Sequence, residues 1–258
     1  MNQTIAALVR RHDPDRFLTA LFAPAAQRDT LLTLYAFNHE LARAREVVSE
    51  PKLALIRLHW WREVVEGATR RHEVAEKLTT AIAAGELDRG DLLAMIDARE
   101  IEAEPSIPTL ADWRDYLLSG AGGLAVAAGR LLAAVDPGGL RPLGAAYGVA
   151  GILRSVPALA RQGRCLLPAD ILAQHSLSPE ALIAAPGAPA VQGVMRQLSD
   201  VGKQFLTQRP LDIPRRAIAA ALPAVLAHRD LRRCPFFPAE RGFGDRMAVA
   251  LAGLARRI

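Results

Sequence analysis

Lysine is nearly missing from this chain. Only Lys52, Lys77 and Lys203 stand among 32 basic residues, so arginine carries almost all of the positive charge against 27 acids, leaving a net charge of +5. Together with abundant alanine, that bias points to GC-rich coding and a bacterial source. The positive balance favours anionic surfaces such as phospholipid headgroups. Nucleic acid is disfavoured as a partner, because the arginines are scattered and no zinc-finger spacing or aromatic–basic motif accompanies them. Cysteine is as scarce: Cys165 and Cys234 stand alone, with no C-x-x-C, which signals neither a disulfide framework nor a zinc site. Also lacking are a glycine-rich phosphate loop, a nucleophile elbow and a zinc-protease motif, since the HEVAE run from His72 to Glu76 has no second histidine.

Aromatic residues make up 5% of the chain, and no segment sustains the period-2 alternation of a strand. Apolar residues instead recur at helical spacing, with Ala and Leu in bulk, so the expected fold is all-α and one domain over residues 1–258. Helices are predicted from Asp13-Pro14, from Pro24 to about Glu50, from Pro51 to about Arg70, from His72 to Ala84, and from Asp88 to Glu104. Thr109 and Asp112 mark the entrance to a Gly/Ala-rich helix. Its core, Leu117 to Val135, carries Arg130 as its only charge and is long enough for a bilayer, but its glycines suit close helix packing, and it is read as a buried helix. Pro157 is expected to end the helix before it. Further helices are predicted at Pro179–Ala184, Ala188–Thr207, Pro214–Arg232 and Glu240–Arg257. The opening MNQTIAALVRRHDPDRF has neither the apolar run of a secretory signal nor the serine content of a transit peptide, so a cytoplasmic start is expected.

Acidic side chains are absent where their absence is informative. From Gly151 the chain reads GILRSVPALARQGRCLLPAD, with no acid before Asp170. This segment resembles the second Asp-rich motif of the squalene/phytoene synthase family, with Ile152, Leu153, Arg154, Val156, Gly163, Arg164, Leu167 and Pro168 in place, but Ser155 and Leu159 at the two Asp positions. The first Asp-rich motif of that family is matched by Tyr35, Ala36 and Phe37, followed by Asn38 and His39. There Ala42, Arg43 and Glu46 hold the three Asp positions. The run from Ala36 to Gly67, with Ser49-Glu50 after the motif, and the run from Gly163 to Glu180 are similar to the family's non-catalytic branch, that of a mitochondrial respiratory complex I assembly factor and its alphaproteobacterial homologues. The resemblance extends from about Arg16 to Glu180.

Membership of that family implies an isoprenoid-synthase-like helical bundle around a central cavity. Catalytic members ionise an allylic diphosphate held by Mg²⁺ between carboxylates, which two Asp at i and i+4 on one helical face present together. With one acid of five left, the resemblance implies a pseudoenzyme with no catalytic residues, no metal and no cofactor. It acts by binding, as a complex I assembly factor-like protein located in the cytoplasm and peripherally at the inner membrane. Its expected partners are an isoprenoid or phospholipid ligand, respiratory complex I subunits and the membrane surface. Candidate ligand contacts are Tyr35, Arg43, Glu46, Arg154 and Arg164, with the arginines converging on a metal-free anion pocket. The competing reading pairs Arg154 with Glu46 or another carboxylate and leaves the rest solvated. Two alternatives stand beside the pseudoenzyme: a divergent prenyl transferase condensing isoprenoid diphosphates head-to-head with Mg²⁺ on Glu46, Asp29 or Asp170, and a metal-free lipid-phosphate binder.

Three other clusters carry blander expectations. Asp97, Glu100 and Glu104 read as a solvated acidic face. Of Trp60 and Trp61, one is expected in the core and the other on a cavity wall or interface. The run from Arg232 to Pro238, with Phe236 and Phe237, suits either a membrane or partner contact, or docking of the final helix.

Overall fold

Several helices start at a side chain that caps them. The computed structural model describes residues 4–48, 50–208, 212–237 and 240–255. Thr4 caps α1 (Ile5–His12) and Asp13 caps α2 (Pro14–Ala20), accepting from the Arg16 N–H at 3.0 Å. Proline 24 precedes α3 (Ala25–Glu46), and Pro51 opens α4 (Pro51–Glu66). Gly67, at φ 117°, ends α4 in the left-handed conformation that glycine tolerates best, four residues before the expected stop near Arg70. His72 caps α5 (Glu73–Ala83) through Nδ1, the helix-entry role expected of it. Ser49 and Arg257, the expected end of the last helix, lie outside the described residues.

Several predicted helices are broken where backbone turns intervene. Asp88–Glu104 becomes α6 (Arg89–Asp97) and a 3₁₀ turn, Glu100–Ala103. The Gly/Ala-rich stretch is two helices, α7 (Leu110–Ser119) and α8 (Ala121–Leu131), because Gly120 at φ −78°, ψ −84° leaves the helical region. Thr109 and Asp112 form a full capping box at the α7 start, as their spacing predicts. Conversely, Pro157 does not end α9 (Arg141–Arg161), since the helix runs through it. One backbone bond to Leu153 is forfeited there, and burial of Val156, Leu159 and Ala160 around the proline offsets the loss of about 3 kcal/mol.

The chain continues through α10 (Ala169–Gln174), α11 (Pro179–Ala184), α12 (Pro189–Thr207), α13 (Ile218–Ala221), α14 (Pro223–Arg233) and α15 (Phe243–Ala255). Helices α1 and α10 were not foreseen. No strand is present among the described residues, only an isolated bridge between Ile107 and Pro168. The fold is therefore all-α.

Helix α9 is the axis of the bundle, packed against α7, α8, α12 and α14. Its contact with α8 is close enough that a Cβ on Gly144 would stand 2.4 Å from the Ala121 carbonyl oxygen and 2.6 Å from the Ala125 Cβ. The stretch Gly138–Arg161 is long and apolar enough to cross a membrane, but 61% of its apolar window is buried in the bundle, as befits a core helix. A second core centres on α3, where Leu31, Leu34, Tyr35, Phe37 and Leu41 pack against α4, α5 and α8. Trp61 is in that core and Trp60 packs partly buried beside it.

Candidate functional site

A cavity of about 510 Å³ opens between the two segments that carry the degenerate motifs. Helix α3 presents Asn38, His39, Ala42 and Glu46 to it, which helical periodicity places on one face. Helix α9 presents Gly148, Gly151, Ile152 and Ser155 by the same rule. His12, Asp13 and Arg16 enter from the α1–α2 corner, and Tyr116 with Gly120 from the end of α7. Arg99 comes from the turn after α6.

The positions matched to the family's five aspartates therefore split three ways. Ala42, Glu46 and Ser155 line the cavity, and only Glu46 brings a carboxylate. Leu159 is buried in the core. Arg43, expected to contribute to an anion pocket, turns back along α3 to Glu40 (Nη1–Oε1 3.1 Å) and is not among the cavity's described lining residues.

The expected convergence of arginines does not occur, because each meets a different carboxylate. Arg154 pairs with Asp230 on α14 at 3.3 Å and lies 5.8 Å from the Phe237 ring centroid. Asp230 is thus a carboxylate of the kind the pairing reading called for. Arg164 is buried and donates from Nη2 to Glu102 Oε2 at 2.7 Å, so it is not solvated. Tyr35 is buried, and burial first of all pushes its hydroxyl up to about 12, against the lowering effect of Arg16. It lines an inner cleft with Arg16, Leu124, Leu143 and Tyr147 whose volume is only about 10 Å³. Of the five candidate contacts, Glu46 faces the cavity, Tyr35 closes the space behind it, and the three arginines brace its surroundings.

The cavity's own cations are Arg16 and Arg99, which sequence reasoning overlooked. Arg16 pairs with Asp13 at 2.8 Å and lies 4.7 Å from the Tyr147 ring centroid and 5.8 Å from that of Tyr35. Arg99 donates to Glu102 Oε1 at 2.6 Å, to the Tyr116 hydroxyl at 3.3 Å and to Asn38 Oδ1 at 3.3 Å. Tyr116 in turn donates to Glu102 Oε1 at 2.7 Å. Burial works against the charge on Arg99, but Tyr116, Glu102 and Glu46 outweigh it and hold the guanidinium above its ordinary pKa. Burial likewise opposes the Glu102 carboxylate, and Arg99 and Arg164 overcome it, so its pKa is depressed. Its spacing to Arg99, i and i+3, was the one signal in the sequence. It was masked by the neighbouring acids Asp97 and Glu100, both half-exposed and paired with Arg62 on α4.

His12 and His39 complete the wall as a stacked pair, ring centroids 4.5 Å apart. Burial first, and then the adjacent His12, lower the His39 pKa, which favours a neutral ring. Its Nε2 is buried without a hydrogen-bond partner among the described residues.

Such a donor set does not fit a magnesium–diphosphate cluster. Mg²⁺ takes an octahedron of oxygens, with carboxylates bridging to phosphate. The carboxylates lining the cavity are Glu46 and Asp13, the latter engaged by Arg16, and among the described residues no three His, Cys, Asp or Glu side chains are gathered for a metal.

Comparison with known proteins follows the same lines. A squalene/phytoene synthase family model matches residues 9–238. The chain is 28% identical over 181 residues to assembly factor 6 of NADH dehydrogenase (ubiquinone) complex I from Mus musculus, covering 67% of this chain and 54% of that protein. The Homo sapiens protein of that name is 27% identical over the same length, with the same coverage, and the Drosophila melanogaster homologue 26% identical over 196 residues, 69% of this chain and 57% of the relative. The chain thus spans about half the length of the curated relatives it matches. Among solved structures, a dehydrosqualene synthase superposes with a TM-score of 0.77 at 15% identity, covering 98% of this chain and 94% of that one. Squalene synthase HpnC from Alicyclobacillus acidocaldarius gives 0.66 at 19% identity, with 97% and 92% covered. These likenesses fix the fold.

Proposed function

The chain belongs to the squalene/phytoene synthase family, and from that membership we propose that it is a non-catalytic member acting by binding, in the manner suggested by its resemblance to the complex I assembly factor proteins. The observation that carries this reading is the cavity's donor set: Ala42 and Ser155 stand at aspartate positions, and Glu46 shares the space with Arg99 and Arg16. A site in which guanidiniums and imidazoles stand beside only two lining carboxylates, Glu46 and Asp13, suits an anion taken up without a metal. The inner cleft behind the polar cavity measures only about 10 Å³ among the described residues, space for about one water molecule, which favours a ligand whose polar end occupies the cavity. A headgroup phosphate is the ligand chemistry this reading adopts, its chain leaving by the cavity mouth.

On this reading the protein needs no cofactor. It works peripherally at the inner membrane of a bacterium, where it assists the assembly of respiratory complex I. Two experiments test it. Purified protein given Mg²⁺ and farnesyl or geranylgeranyl diphosphate forms no head-to-head product, while diphosphate binding measured by calorimetry persists in EDTA. Turnover that Glu46→Gln abolishes would overturn the reading in favour of a divergent prenyl transferase, which the retained Glu46 and the synthase fold favour. Deletion of the gene lowers assembled complex I on a native gel, and unchanged assembly would remove the assembly role while leaving the binding role intact.

A further inference from the structure

Helix α15 covers the bundle with one face and leaves the other without a partner among the described residues. Val249 packs into the cluster of Ile218, Leu222 and Leu226, with Leu18 and Phe22 beside it. The outward face carries Phe243, Met247, Leu251 and Leu254, at steps of four, four and three residues, which places all four on one stripe. Phe243 is 79% exposed, Leu251 59% and Leu254 74%. A soluble surface scatters such residues singly; a stripe of them is a contact surface.

Charge around the stripe identifies its occupant. Arg229 and Arg233 on α14 hold Asp245, in the first turn of α15, at 2.6 and 2.9 Å. That fixes the basic end of α14 against the base of the stripe. Phe236, 71% exposed, follows Arg233 closely, with its N–H bonded to the Arg233 carbonyl at 2.9 Å. Arg232, next to Arg233 at the end of α14, and Arg246, next to Asp245 in the first turn of α15, are exposed. Among the acids of this region, Asp230 and Asp245 are buried in ion pairs, which leaves Glu240 as the one exposed acid described between Arg229 and Ala255. An apolar stripe bordered by guanidiniums whose local acids are already neutralised is complementary to an anionic lipid surface. The two phenylalanines of the preceding turn divide accordingly: Phe237 is partly buried against the core, and Phe236 points outward. Pro238 lies outside the described residues.

We propose that α15, with Phe236 and the Arg232–Arg246 border, is the surface by which this protein docks on an anionic phospholipid bilayer, lying in the plane of the headgroups. The proposal rests on the peripheral-membrane reading above and names the face and lipid class that reading leaves open. It is tested by sedimenting the full chain with phosphatidylcholine vesicles, with and without phosphatidylglycerol. Wild type pellets with the anionic vesicles. Leu251→Gln with Leu254→Gln lowers that partition by at least about tenfold, with an unchanged melting curve because both side chains project into solvent. Arg232→Ala with Arg246→Ala lowers it by roughly tenfold or more on anionic vesicles alone, an effect that added salt mimics. If wild type pellets and the leucine variant pellets equally well, this face is refuted and the peripheral reading survives. Wild type that fails to pellet overturns both. A wild-type dimer that the leucine substitutions convert to monomer assigns the stripe to a second copy and overturns the proposal.

Discussion

Replacing Glu102 with Gln should be among the most damaging single changes available in this protein, although it alters neither shape nor volume. The carboxylate is buried and accepts from Arg99 at 2.6 Å, from Tyr116 at 2.7 Å and from Arg164 at 2.7 Å. A glutamine keeps one acceptor oxygen and turns an NH₂ toward a guanidinium, leaving two buried cations facing a neutral group. Removing one partner of a buried ion pair costs about 3–5 kcal/mol, which for a chain of this size lowers the melting temperature by roughly 6–20 °C. Tyr116→Phe removes the hydrogen bond to this charged acceptor, together with the longer one that the hydroxyl accepts from Arg99, and costs about 1.5–3 kcal/mol. Thermal melts at neutral pH measure both. A second signature is acid sensitivity: the Glu102 pKa is depressed in the fold, so its stabilisation is complete above the unfolded carboxylate value of about 4.3 and disappears as pH falls through the lower folded value. Glu102→Gln therefore flattens the acid limb of stability against pH. A loss under about 1 kcal/mol, with an unaltered acid limb, would refute the view that this carboxylate holds the cluster.

Three further outcomes follow from other parts of the structure. Asp245, lowered to about 2 because Arg233 and Arg229 overcome its burial, stabilises the fold above the unfolded Asp value and ceases to as pH falls toward 2. After allowance for the solvent screening of its partly exposed arginine partners, urea titrations near pH 5 and pH 2 should differ by about 1–2 kcal/mol more in wild type than in Asp245→Asn. Gly144→Ala forces a Cβ to 2.4 Å from the Ala121 carbonyl, so α8 and α9 must separate, and a loss of about 1–3 kcal/mol is expected in denaturant midpoints. Arg43→Glu places a like charge beside Glu40 but outside the cavity, so it should leave metal-free diphosphate binding by calorimetry unchanged, whereas Arg16→Glu should abolish it.

The all-α architecture was legible because it depends on local rules. Asp13, His72 and Thr109 act as caps where their spacing predicts, and α11 and α12 fall within a residue of the expected bounds. Where the chain was misread, the deciding interaction was non-local or conformational. Nothing near Gly120 in sequence shows that its backbone leaves the helix, and nothing near Pro157 shows that tertiary burial will carry a helix through it. The cavity was misread for a similar reason. Motif alignment locates α3 and α9 correctly, but a side chain's direction depends on its partner: Arg43 follows Glu40, three residues back, while Arg164 finds Glu102 at a separation of 62 residues. Arg99 belongs to neither motif, so alignment to the motifs could not reveal it.

The contact between Arg241 and Asp15, 2.9 Å long and spanning 226 positions, imposes a schedule on synthesis. Ribosomes add about 5–20 residues per second, so α2 waits roughly 10–45 s for the guanidinium that neutralises its first turn. During that interval the nascent bundle lacks both this closure and the packing of α15 beside Leu18 and Phe22, leaving that apolar surface uncovered until α15 emerges.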